Sequence, residues 1–187
     1  PVMILSDGML GQMMEPVEFP EIQNKEYDKP WVCNGHKNKR EHNIVNSLFL
    51  QPDVLENSVV ERFKKYDTIK CECPMYESYL CEDAEIVVTA FGAAARVVKS
   101  AVKSAREKGI KAGLFRPVTL YPFPENGLRE SCENAKVVLD VEMNMGQMID
   151  DVKLALDSRI PVKFYGRTGG NIPKPAEILN NIEMAVK

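Results

Sequence analysis

The chain has 187 residues, 44% of them hydrophobic and 27% charged, with a formal net charge of −3. That size suits one well-buried domain of roughly 100–150 residues plus extra segments and excludes two large domains. The charges form no acidic or basic tail that would ask for a nucleic-acid or membrane-surface partner, no apolar run reaches the ~18 residues of a spanning helix, and no secretory signal opens the chain, so a cytoplasmic address is expected.

Pro1-Val2-Met3-Ile4-Leu5 is an apolar run closed by the turn signal Asp7-Gly8, which reads as a buried strand. A lone strand cannot pair its backbone groups, so the chain is expected to be a piece of a larger α/β protein. Gly8 and Gly11 lack the G-x-G-x-x-G register of a dinucleotide loop. Met9 to Met14 fits a short helical turn stopped by Pro16 and Pro20; Glu15 and Glu18, each beside a proline, read as solvated turn carboxylates. Residues 21–47 are polar and aperiodic, a linker. His36 and His42 lie six apart in it, on no common helical face, so no metal site is expected there. Residues 53–66 predict an amphipathic helix with Asp53 as its N-cap and apolar positions 55, 59, 60 and 63.

Cys33, Cys71, Cys73, Cys81 and Cys132 are odd in number and lack paired C-x-x-C spacing, so they read as structural or incidental thiols. No metal ligands are expected.

From Glu85 onward strands and helices alternate. Ile86–Phe91 is a β-branched run broken by Gly92, and Ala94, Val97, Val98, Ala101 and Ala105 then recur at helical spacing up to Lys108-Gly109. Ile110–Leu114 is a second strand; the prolines at 117, 122 and 124 forbid helix until about 125–133. Lys136–Glu142 is a third strand, followed by a helix near 147–156, a fourth strand at 162–165 and a last helix near 176–186. This alternation predicts an α/β domain whose mainly parallel sheet carries helices on both faces.

In such a sheet, ligands and partners meet the loops beyond the carboxyl ends of the strands. Asn144, Gly146 and Gln147 leave the third strand there and open a helix, serving either as a cap or as a contact to a partner. Arg116 reads as a carboxylate partner across an interface or as a local salt bridge, and Tyr121 and Phe123 as plugs of a sheet edge or an interface. The loops 116–124 and 144–147 are expected to form one contiguous partner-facing surface. Gly166, Gly169 and Gly170 with Arg167 could cradle a phosphate of coenzyme A or simply turn the chain.

The motifs S-D-G-M-L-G-Q-M-M-E-P-V-E-F-P, A-F-G-A-A-A-R, R-P-V-T-L-Y-P-F-P and V-E-M-N-M-G-Q-M-I-D-D-V, in this order, resemble the α-type subunit of 2-oxoacid:ferredoxin oxidoreductases, and among these the 2-ketoisovalerate enzymes most. The resemblance implies oxidative decarboxylation of a 2-oxoacid on thiamine diphosphate and Mg²⁺, acyl transfer to coenzyme A, and electron passage through iron–sulfur clusters to ferredoxin. It implies a β-type thiamine-binding subunit and a ferredoxin-like subunit as partners. Residues 1–20 would be the tail of an upstream thiamine pyrimidine-binding domain, 21–82 a linker with one amphipathic helix, and 83–187 a transketolase C-terminal-like domain. The family's activating acid maps to no residue here, so the chain is expected to supply an assembly domain, to bind none of these cofactors alone and to be inactive alone. The alternatives are the C-terminal domain of a transketolase-like or E1-type thiamine enzyme, and a non-catalytic docking module.

Overall fold

Two apolar runs become the central strands of a single sheet in a computed structural model that describes residues 3–6, 8–14 and 16–187. Every residue of β2 (Ile86–Thr89) and β4 (Val137–Glu142) is buried, as expected of parallel strands covered on both faces. β3 (Ala112–Pro117) pairs β2 and β5 (Val162–Gly166) pairs β4, all in parallel. A strand absent from the sequence reading, β1 (Tyr76–Tyr79), adds an antiparallel edge on β3, giving the order β1-β3-β2-β4-β5. It is four residues long and mostly exposed, too short to produce a pattern.

The expected second strand begins at Ala112 instead of Ile110 because the preceding helix captures the intervening residue. The Ile110 amide donates to the Ala105 carbonyl at 3.0 Å, with Gly109 at φ +80° making the turn.

The helices divide between the two faces. α2 (Gly92–Glu107) presents Ala94, Val98, Ala101, Val102 and Ala105 to the side chains of Ile86, Val88, Leu114 and Leu139, and α5 (Pro175–Ala185) joins the same cluster through Ile178, Ile182 and Ala185. On the opposite face α3 (Glu125–Ser131) and α4 (Met148–Ala155) cover Val87, Phe115 and Val138 with Leu128, Met148, Val152 and Ala155. Cys81 and Cys132 sit in that second cluster, and burial pushes the Cys132 thiol up to about 12, so both behave as small apolar fillers.

The chain divides into two compact units, residues 1–12 with 66–187, and residues 13–65. In the first, Met3, Ile4 and Leu5 have no strand pairing and are exposed, and a 3₁₀ turn forms at Leu10–Gln12. Pro1, Val2, Asp7 and Glu15, which carried part of the expected opening strand, its turn and one carboxylate, lie outside the described residues.

In the second unit, Asn43 gathers a loop by donating to the carbonyls of Pro30 (2.6 Å) and Val32 (3.0 Å). That loop brings the His36 and His42 rings to 3.9 Å, a meeting that helical spacing excluded because no helix is there. Among the described residues no group of His, Cys, Asp and Glu could hold a metal. The amphipathic helix is longer than expected: α1 runs Pro52–Glu72, its residues from Tyr66 onward belonging to the first unit, with Asp53 inside its first turn, and none of its described residues is buried. Among the described residues no helix is long and apolar enough to cross a membrane.

Candidate functional site

β4 carries two acids in a strand that is otherwise Val and Leu. Asp140 and Glu142 are two apart, so they point to the same face of the sheet, and both are fully buried. Each finds a different solution to burial. Asp140 accepts a hydrogen bond from Thr89 Oγ1 at 2.6 Å, which the register makes possible by setting Thr89 opposite it on β2. Its other oxygen, Oδ2, accepts no hydrogen bond.

Glu142 instead collects four donors. Its Oε1 accepts the amides of Gln147 (3.0 Å) and Ile149 (3.1 Å), and its Oε2 the amide of Met148 (3.0 Å) and Asn144 Nδ2 (2.9 Å). The carboxylate thereby caps α4 from outside the helix, where the helix dipole favours a negative charge and where Gln147 offers no side-chain cap of its own.

The protons follow. Burial foremost, then the neighbouring Glu142 carboxyl, pushes the Asp140 carboxyl up to about 8 against the pull of Thr89. Burial also works against a charged Glu142, yet the neighbouring Asp140 carboxyl and the hydrogen bonds from the Met148 amide, Asn144 and the Gln147 amide outweigh it and hold the carboxyl below its ordinary range. At neutral pH the pair therefore holds one proton on Asp140 and one charge on Glu142. The Oδ2 atom that lacks a donor is the one free to carry that proton.

Glu142 ties down the loop 143–147 and so one wall of a crevice at the carboxyl edge of the sheet. This crevice, of about 450 Å³, is lined by Phe91 to Ala94 after β2, Met143 after β4, Gly170 and Ile172 after β5, and Gly8 to Leu10. Two of the loops picked from the sequence, those after β4 and β5, meet the turn at Phe91 to Ala94 there, and Gly166 allows it: a Cβ at that position would strike the Asn144 carbonyl and the Phe164 ring. Among the described residues the lining carries no charged side chain, so it offers no side-chain ligand for the cation that would accompany a diphosphate.

The residues singled out from the sequence scatter. Asn144 caps locally, its Oδ1 accepting the Gly146 amide at 2.6 Å while its Nδ2 serves Glu142. Gly146 takes φ +103°, and Gln147 is exposed at the start of α4. Arg116 forms a salt bridge with Glu77 across β1 and β3 at 3.2 Å. Loop 116–124 leaves β3 and loop 144–147 leaves β4, with β2 between those strands. Phe123 is half-buried in the α3/α4 cluster, whereas Tyr121 is 63% exposed. Arg167 pairs with Glu177 at 3.3 Å, to which Tyr165 also donates at 2.9 Å, so the glycine loop is a turn with its cation already engaged. The sequence reading missed Asp140 and Glu142, although two acids at period two inside a fully apolar strand are a visible signal.

A family profile described as pyruvate:ferredoxin oxidoreductase core domain II matches residues 84–178, which run from the residues before β2 to the first half of α5 and include the carboxyl pair. The ketoisovalerate oxidoreductase subunit VorB of Methanothermobacter marburgensis is 43% identical over 97% of this chain and 51% of its own length. The chain belongs to the 2-oxoacid:ferredoxin oxidoreductase family. The 2-oxoglutarate synthase subunit KorA of Methanocaldococcus jannaschii is 38% identical over 95% of this chain and 54% of its own length, so the family likeness is not confined to one named substrate. The chain spans about half the length of the curated relatives it matches. A solved 2-oxoglutarate:ferredoxin oxidoreductase from Magnetococcus marinus shares the fold at a TM-score of 0.62 and 20% identity, over 74% of this chain and 24% of that one. A split-gene transketolase shares it at a TM-score of 0.50 and 19% identity, over 59% of this chain and 41% of that one, so the transketolase-like sheet expected for the family is present.

Proposed function

We propose that this chain is part of the α-type subunit of an oxidoreductase that decarboxylates a branched-chain 2-oxoacid, forms the acyl-CoA and reduces ferredoxin, and that it serves there as an assembly domain. The observation that carries this reading is the likeness to a ketoisovalerate oxidoreductase subunit across 97% of the chain. The 43% identity to VorB holds across 97% of the chain, whereas 2-oxoglutarate synthase KorA relatives reach 43–44% over 54–55% of it and 38% over 95%, and this breadth favours the branched-chain substrate. Thiamine diphosphate, Mg²⁺ and the iron–sulfur clusters are held elsewhere in a cytoplasmic complex, by a β-type subunit and a ferredoxin-like subunit. The uncharged crevice and the exposed Cys33, Cys71 and Cys73, which join no metal-holding group among the described residues, support that division.

The full-length subunit, co-expressed with its partner subunits without oxygen, is expected to reduce a viologen dye with coenzyme A and 2-ketoisovalerate. Its kcat/KM should exceed that for 2-oxoglutarate at least about tenfold, a transition-state preference of about 1.4 kcal/mol. A higher value for 2-oxoglutarate or pyruvate would reassign the substrate.

Calorimetry of the 187-residue chain with thiamine diphosphate and Mg²⁺ should give no heat of binding. A Kd tighter than about 1 mM, or ~4 kcal/mol of binding free energy, would move the cofactor onto this chain.

A further inference from the structure

A second cavity, of about 740 Å³, opens within the sheet unit where the loop Leu120–Pro124 leaves β3. Its lining combines two chemistries. One wall is aromatic: Tyr76 stacks on Phe115 with ring centroids 5.3 Å apart, Phe123 is anchored in the α3/α4 cluster, and Tyr121 stands 63% exposed at the mouth. The other wall is acidic, with Glu72, Glu125, Glu130 and Asp151 against a single cation, Lys70. Four carboxylates and one ammonium leave a formal surplus of three negative charges.

Glu125 is engaged with Arg129 at 3.4 Å, while Glu72, Glu130 and Asp151 take part in no ion pair among the described residues. The Asp151 carboxyl is raised by burial first and then by nearby carboxylates, Glu125 of the groove among them.

We propose that this groove docks a cationic segment, Lys or Arg flanked by apolar side chains, from another polypeptide of the complex. The proposal rests on the functional reading above, which supplies such partners. Acid and aromatic walls together select this occupant. The carboxylates attract the cation and the tyrosine faces hold it by their quadrupoles. The apolar flanks cover Leu120 and Tyr121, which are 43% and 63% exposed in the chain alone. Pro122 and Pro124 pre-set the loop, so little ordering remains to be done on binding.

A second copy of this chain is the poorer occupant. The chain carries net charge −3, so copies repel overall. In its basic stretch 37–40, Arg40 already donates to the carbonyls of Val32 and Glu41 and to Asn34.

In the assembled complex of full-length subunits, carbodiimide should couple Glu130 or Asp151 to a lysine of a different subunit, identified by mass spectrometry of the joined peptides. Tyr121→Ala combined with Glu130→Gln should weaken retention of that subunit at least about tenfold at low salt, and the difference should shrink as salt rises. Three outcomes would each overturn the proposal. One is coupling only to a second copy of this chain. Another is labelling of these carboxylates by glycine ethyl ester as readily in the complex as in the free subunit, or protection that needs added spermidine. The third is a double variant that retains the partner as well as the parent does. A complex that turns over its 2-oxoacid with the groove open would sink this proposal and leave the functional reading standing; coupling in a complex without turnover would do the reverse.

Discussion

Glu142→Ala should cost about 3–5 kcal/mol of stability, a loss usual for removing the charged half of a buried, fully hydrogen-bonded arrangement. The substitution deletes the acceptor for the Gln147, Met148 and Ile149 amides and for Asn144 Nδ2, all at 2.9–3.1 Å from the carboxylate. Each buried donor left without a partner costs about 1–3 kcal/mol, and water entering the vacated space can recover only part of that. Glu142→Gln separates charge from shape. One oxygen can still accept, but the amide nitrogen faces donors, so an intermediate loss is expected. Urea unfolding followed by far-ultraviolet circular dichroism measures the total. Because ~3–5 kcal/mol is a large share of an ordinary domain's stability, hydrogen exchange gives the sharper readout. The Met148 and Ile149 amides should lose protection before those of β2 do. A loss below about 1 kcal/mol, with those two amides still protected, would show that α4 holds its first turn without the carboxylate.

Why that capping escaped the sequence while the sheet did not is a matter of distance along the chain. The central strands were legible because burial on both faces writes an uninterrupted apolar run, as in Ile86-Val87-Val88, and the spacing of Ala94, Val98, Ala101 and Ala105 marks the helix that covers them. Residue patterns of this kind report which face is buried. They do not report where a side chain ends up.

A helix start is ordinarily read from the residue beside it, which drew attention to Asn144 and Gln147; the cap instead comes from Glu142, five to seven residues back from the amides it accepts. Arg116 illustrates the same limit. Its partner Glu77 lies 39 residues away on a strand too short to announce itself, so a local salt bridge and an interface contact could not be told apart until β1 was placed. Tyr121 and Phe123 were read alike, being aromatics between prolines, yet only Phe123 reaches the core. Tyr121 lies between Leu120 and Pro122 and Phe123 between Pro122 and Pro124, neighbours that do not tell which ring turns inward, and only the path of the loop separates them.

Asp140→Asn should stabilise the chain, by an amount that grows with pH. The reasoning begins with the proton. In the unfolded chain Asp140 titrates near the ordinary 3.8, while in the fold burial and the neighbouring Glu142 push it up to about 8. Between those values the native state binds a proton that the unfolded state does not, so native stability falls as pH rises, by up to about 1.4 kcal/mol per unit. The penalty is absent below about 4, accumulates through neutrality and is complete near 8.

Glu142 contributes with the opposite sign and in another window, because its carboxyl is lowered in the fold. Its stabilisation is present above its ordinary value of 4.5 and lost in acid as pH falls through the depressed one. The two effects therefore separate on the pH axis.

An asparagine at 140 can accept from Thr89 through its oxygen and match the shape of the protonated acid without titrating, its amide nitrogen taking the place of Oδ2. Variant and parent should have similar stability near pH 3.5, the variant should already lead by roughly 1–2 kcal/mol at pH 5, and the lead should grow by on the order of three times the per-unit slope by pH 8. Urea unfolding at pH 5, 6.5 and 8 with equal m-values would measure the divergence. Parallel stability curves for parent and variant across that range would mean that Asp140 is ionised in the fold, and that the carboxyl pair holds two charges instead of one charge and one proton.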